Sequence, residues 1–120
     1  MARFTGLNHL HLIVRDKERS ARFYEEAFGM KRLGVKHGRM IFLQTPGTTE
    51  LLTVSELDPE RAGVQGGFDH LGFRLADPTA IDEAIAHVVR CGGTLVEKSE
   101  LAPGLPTAFF EDPDGYRIQI

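Results

Sequence analysis

The chain has 120 residues, with 14 Lys+Arg against 17 Asp+Glu and a formal net charge of -3; that length predicts one compact domain and leaves no room for a second. No basic cluster is longer than Lys31-Arg32, so the cationic face that phosphate binding needs is missing and nucleic acid is excluded as the expected partner. No apolar run approaches the roughly 18 residues of a membrane span, no signal-peptide core opens the chain, and the lone Cys91 excludes a disulfide framework or thiolate-rich zinc site, so the expected setting is cytoplasmic.

In chain order, His9-Leu10-His11-Leu12-Ile13-Val14 reads as a strand and Asp16 as the cap of a helix over Lys17 to Phe28, which Gly29 stops. Ser20, Phe23, Tyr24, Ala27 and Phe28 share one face of that helix. Short extended runs follow over Arg32 to Val35, Arg39 to Gln44 and Glu50 to Val54. The Pro/Gly-rich stretch Glu56 to Gly67 reads as a linker.

The pattern then repeats. His70-Leu71-Gly72-Phe73-Arg74-Leu75-Ala76-Asp77 lines up with residues 9–16 at an offset of 61 positions, with the histidine and the aspartate in the same places. A helix opens at Pro78 and buries a stripe of Ile81, Ala84, Ile85, Val88 and Val89 before Gly92-Gly93. Strands over Thr94 to Glu97, Thr107 to Glu111 and Tyr116 to Ile120 complete the second copy, the last two joined by the turn Asp112-Pro113-Asp114-Gly115. The predicted fold is therefore α+β: two βαβββ modules, about 5–55 and 68–120, related by a pseudo-two-fold axis, with the linker 56–67 between them.

Side chains alternate along a strand, so His9, His11 and Ile13 share one face and Leu10, Leu12 and Val14 the other. The second module puts His70, Gly72 and Arg74 opposite Leu71, Phe73 and Leu75. The apolar faces must carry the helices, which leaves the histidine faces to line a concave surface. In the last strand Arg117 and Gln119 alternate with Tyr116, Ile118 and Ile120, and Glu50 is the one ionisable residue of the corresponding run in module one. The pseudo-symmetry predicts that His9 and His70 meet and that Glu50 and Gln119 are repeat partners. Two imidazoles and a carboxylate converging from different strands form a ligand set for a divalent ion with open positions, and Gln119 can supply a fourth oxygen.

With the runs Asn8-His9-Leu10-His11-Leu12-Ile13-Val14-Arg15-Asp16, Phe28-Gly29-Met30 and Phe109-Phe110-Glu111-Asp112-Pro113-Asp114-Gly115-Tyr116-Arg117-Ile118-Gln119, the whole chain resembles the vicinal oxygen chelate superfamily. That superfamily includes glyoxalase I, extradiol dioxygenases, fosfomycin resistance enzymes, methylmalonyl-CoA epimerase and bleomycin resistance proteins. The resemblance implies paired modules curled around one divalent ion (Ni, Zn, Mn, Co or Fe), a small-molecule substrate with vicinal oxygens, and a homodimer. It places His9, Glu50, His70 and Gln119 at the ligand positions. Gln119 departs from the glutamate found there in most metal-dependent members, and Ile13 stands where glyoxalase I carries an arginine for the glutathione carboxylate.

The expected activity is that of a glyoxalase-like lyase or isomerase, with Glu50 as the proton-moving base, His11 as a catalytic partner, and Arg74 and Arg117 as binders of an anionic substrate. Two histidines and a glutamate equally suit an Fe(II) ring-cleavage dioxygenase, and ligand identity does not choose between the two. A further alternative is a metal-free drug-binding protein like the bleomycin resistance proteins, against which the two strand histidines argue.

Overall fold

The computed structural model describes residues 2–120. Eight strands and two helices run in the order β1 (Leu10–Ile13), α1 (Lys17–Phe28), β2 (Lys31–Arg32), β3 (Met40–Gln44), β4 (Leu52–Ser55), β5 (Leu71–Gly72), α2 (Ile81–Arg90), β6 (Thr94–Ala102), β7 (Leu105–Glu111) and β8 (Arg117–Gln119). They form two four-stranded mixed sheets, β1-β4-β3-β2 and β5-β8-β7-β6. Each is one βαβββ module: its first strand pairs parallel to its last, and the remaining pairs are antiparallel.

Local chemistry explains the helix limits. The Asp16 carboxylate accepts from the N–H groups of Glu18 and Arg19, satisfying two donors that the first turn leaves free. Gly29 closes α1 in the left-handed region at φ 71°, and its N–H donates to the Glu25 carbonyl. Asp77 caps the second helical segment through Thr79 N–H, but Pro78–Ala80 is a 3-10 turn and α2 proper begins at Ile81. The strands over Thr94 to Glu97 and Thr107 to Glu111 are longer than the sequence indicates: residues 99–106 extend them into a long hairpin that turns at Gly104.

One core joins both modules. Leu12, Val14, Ile41, Leu43, Leu52 and Val54 from the first sheet and Ala108, Phe110, Tyr116 and Ile118 from the second belong to the same buried cluster, with Phe23 and Tyr24 of α1 and Val88 of α2 among them. Burying side chains of this size stabilises the fold by about 1.5–3 kcal/mol each. Phe28 of α1 stacks on Phe73 of module two at 4.1 Å between ring centroids, tying the modules together at one end. At the other end a polar junction does the same. The buried Asp114 carboxylate accepts from Ser20 Oγ at 3.1 Å and from Arg15 Nη1 at 3.1 Å, while the Tyr24 hydroxyl donates to Asp112 at 2.7 Å.

The apolar faces of both sheets thus turn toward a common centre. Strand alternation then turns the other faces, those of His11, Thr53 and Phe42 and of Gly72, Gln119 and Phe109, away from it. The fold of paired modules is as the sequence predicts, but the packing is back to back.

Candidate metal centre

His9 lies one residue ahead of β1 and His70 one residue ahead of β5. Each ring is held the same way. His9 Nδ1 donates to the Asn8 side-chain oxygen at 2.8 Å, and His70 Nδ1 donates to the Asp69 carboxylate at 2.6 Å. A proton fixed on Nδ1 leaves the Nε2 lone pair free, the arrangement that metal-bound histidines use. The bond from His70 holds the Asp69 carboxyl below its ordinary range. The His70 ring also meets Phe109 edge-on at 5.2 Å, and the Arg117 guanidinium lies over the same Phe109 ring at 4.9 Å.

Gln119 sits on the His70 face, opposite Gly72 and Phe109 in register. Its amide nitrogen donates to Thr107 Oγ1 at 2.9 Å, which leaves the amide oxygen as the donor it presents to a ligand. His9, His70 and Gln119 therefore fit a divalent ion chemically, as two imidazole nitrogens and one amide oxygen.

Two expectations about this set need correcting. First, the repeat partner of Gln119 is Thr53 rather than Glu50. Gln119 pairs with Gly72, two residues after His70, and the position two residues after His9, His11, pairs with Thr53. The strand β4 starts at Leu52, so Glu50 lies outside it as an exposed residue. Second, His9 and His70 do not lead into neighbouring strands. Their strands belong to different sheets, and among the described residues no three His, Cys, Asp or Glu side chains are placed to hold an ion.

His9 and Glu50 instead border an open crevice of about 1420 Å³, where the head of β1 and the end of α1 face β5 and α2. Arg74 lines its opposite wall with His87, while Leu10, Phe28, Leu71 and Phe73 form the apolar floor. Arg117 lines a separate small recess with Asp69, and its Nε is buried with no hydrogen-bond partner among the described residues. The two arginines proposed to hold an anion thus face different spaces. His11 is bound through Nε2 to Ser55 Oγ at 2.7 Å, and burial, with His9 close by, pushes its pKa down.

Asn8 and Asp69 escaped the sequence reading although a signal for them existed: both stand immediately before a histidine, at the same 61-position offset. The sequence marks Asp112 and Asp114 only as turn residues, because nothing in a turn motif says that its carboxylates will be covered by a helix from the other module.

Two βαβββ modules, each with a histidine at its head whose Nδ1 is held by the preceding side chain, define a paired-module class of protein. The comparisons agree. Residues 6–120 match the family model of the glyoxalase/bleomycin resistance protein/dioxygenase superfamily, and the chain belongs to that superfamily. It is 36% identical to lactoylglutathione lyase of Neisseria meningitidis serogroup A, an alignment covering 95% of this chain and 88% of the relative. It is 28% identical to metallothiol transferase FosB of Lysinibacillus sphaericus over 96% of this chain and 80% of that one. Among solved structures, fosfomycin resistance protein FosX of Listeria monocytogenes, a mutant complexed with Mn(II) and 1S,2S-dihydroxypropylphosphonic acid, superposes with a TM-score of 0.78 at 19% identity, covering 98% of this chain and 89% of that one.

Proposed function

We propose that this protein is a divalent-metal-dependent lyase or isomerase of the glyoxalase type, acting on a small substrate with two vicinal oxygens. The observation that carries the reading is the matched pair of histidines, each with Nδ1 held by the preceding side chain and Nε2 free. The lyase that is 36% identical supports the reaction class. Because the two histidine faces turn away from one another, the centre is completed by a second copy: His9 of one chain with His70 and Gln119 of the other.

When bound, the ion supplies Lewis-acid stabilisation to the substrate oxygens as negative charge develops on them. The chain's own residues do the rest. Glu50, an exposed residue of the crevice that His9 also borders, takes a proton from the substrate carbon and returns it to the neighbouring carbon. His11, fixed by Ser55, stands two residues further along the same strand face and orients the substrate. Arg74 on the facing wall attracts an anionic substituent. Ile13, an apolar residue where a glutathione-specific enzyme of this family carries arginine, directs the proposal to a 2-oxo aldehyde adduct of a thiol other than glutathione, or to an acyl thioester.

The test is metal analysis of protein purified without chelator, beside the His9→Ala/His70→Ala double variant, followed by substrate screening. About one ion per chain, absent from the double variant, together with isomerisation of thiol adducts of 2-oxo aldehydes or of acyl thioesters, is the expected result. Iron content with catechol ring cleavage assigns the dioxygenase reaction instead. No ion in the native protein after dialysis against these metals leaves the drug-binding role.

A further inference from the structure

The two histidines are held by chemically different groups, and that difference singles out one residue. Asn8 offers His9 a neutral amide oxygen, whereas Asp69 offers His70 a carboxylate at 2.6 Å. The His70 ring is further restrained by Phe109, whose other contact is the Arg117 guanidinium. On the same face Gln119 brings an oxygen donor without charge, and its amide is already oriented by Thr107. A set of two neutral imidazoles and an amide leaves the charge of a divalent ion uncompensated, and the Asp69 carboxylate lies one hydrogen bond from His70.

The geometry points to Asp69 as a positioning residue that fixes His70 as the stronger metal donor and supplies, through the imidazole, the negative charge that Gln119 does not, so that the His70–Gln119 half captures the ion and the His9 half joins it. This rests on the metal-dependent reading above and deepens it. The physics is that of a carboxylate–histidine pair: a full negative charge on the Nδ1 proton raises the electron density at Nε2 more than a neutral amide does, and holds the ring in one tautomer. Arg117 lines the same recess as Asp69, and its guanidinium lies over the Phe109 ring that meets the His70 ring edge-on.

Co(II) titration followed through its visible absorption bands tests this on the full chain, with native, Asp69→Asn, Asn8→Ala and His70→Ala proteins. The Asp69 side chain is 82% exposed, so its substitution leaves the core untouched. Asp69→Asn should weaken Co(II) binding by about 10–100-fold and Asn8→Ala by less. Long-range proton–nitrogen NMR of the metal-free protein supplies the second readout: His70 carries its proton on Nδ1 in the native protein and loses that preference in Asp69→Ala, which offers Nδ1 no acceptor, a change that a merely structural role does not produce. Asp69→Asn binding Co(II) within about twofold of native, or His70 protonated mainly on Nε2 in the native protein, overturns the inference while leaving the metal reading intact. A native protein that binds Co(II) no better than His70→Ala overturns the metal reading, and the inference with it.

Discussion

Asp112 shows how one residue sets a pH dependence. Burial pushes its pKa above the ordinary value of 3.8, against the hydrogen bonds from Tyr24, Tyr116 N–H and Asp114 N–H that favour the ionised form. A carboxyl with a raised folded-state pKa binds its proton more tightly folded than unfolded. Its contribution is therefore fully present below 3.8 and is lost as pH rises through the raised value. Asp112→Asn keeps an acceptor for both backbone N–H groups and removes the buried charge. The variant's stability relative to native should grow as pH rises above about 4, measured by urea unfolding; an unchanged difference contradicts the assignment. Tyr24→Phe withdraws the hydroxyl from the same carboxylate and should destabilise the protein by about 1–3 kcal/mol near neutral pH, with less loss in the Asp112→Asn background. At this scale the sequence was informative where residues repeat and silent where they meet across modules. His9 and His70 were legible because a 61-position offset marks them, whereas the contacts of Ser20 and Tyr24 with a turn some ninety residues away leave no local trace. Glu50 was misplaced because Leu51 and Leu52 offer apolar side chains in both phases, so alternation could not say which residue faces the core; only the register with β1 chooses Leu52.

Elements were most legible where their ends carry dedicated chemistry. The span of α1 follows from Asp16 and Gly29, and the structure places it at the predicted residues. The short β5 and the extended β6–β7 hairpin were not legible, because their lengths depend on which neighbour offers hydrogen bonds: β5 ends where β8 ends, and β6 continues as far as β7 accompanies it. Two glycines separate backbone strain from packing. Gly29 has φ 71° with open space where a Cβ would stand, so Gly29→Ala meets the left-handed backbone term alone, about 1–2 kcal/mol. Gly63 has φ 79°, and a Cβ there overlaps the carbonyl oxygen of Asp114, the turn that α1 holds. Gly63→Ala should therefore cost more than Gly29→Ala, by about 1 kcal/mol or more, and urea unfolding of the two variants side by side measures the difference. Equal losses mean that the linker yields around Gly63 and that the modules are joined less firmly than the Asp114 contacts indicate.

At the scale of the whole molecule, the question is how two outward faces become one centre. Both β1 and β5 are sheet edges, so each keeps an unpaired row of backbone groups beside its histidine, and such edges are open to a second chain. The crevice between them is lined by apolar side chains together with His9, Glu50, Arg74 and Glu83. In the two-fold dimer proposed above, each chain's first module would meet the other chain's second module, which would make two equivalent centres. This arrangement has a consequence that an intrachain centre lacks. A dimer of one His9→Ala chain and one His70→Ala chain has one centre with both histidines replaced and one with both intact. Unfolding the two variants together and refolding them should restore about one quarter of native metal capacity through random re-pairing, although each variant refolded alone binds none. Sedimentation of the same mixture checks that dimers have formed. Dimers that regain no metal place His9 and His70 of one chain in the same centre, and the back-to-back packing of the two modules then has to open before the ion can bind.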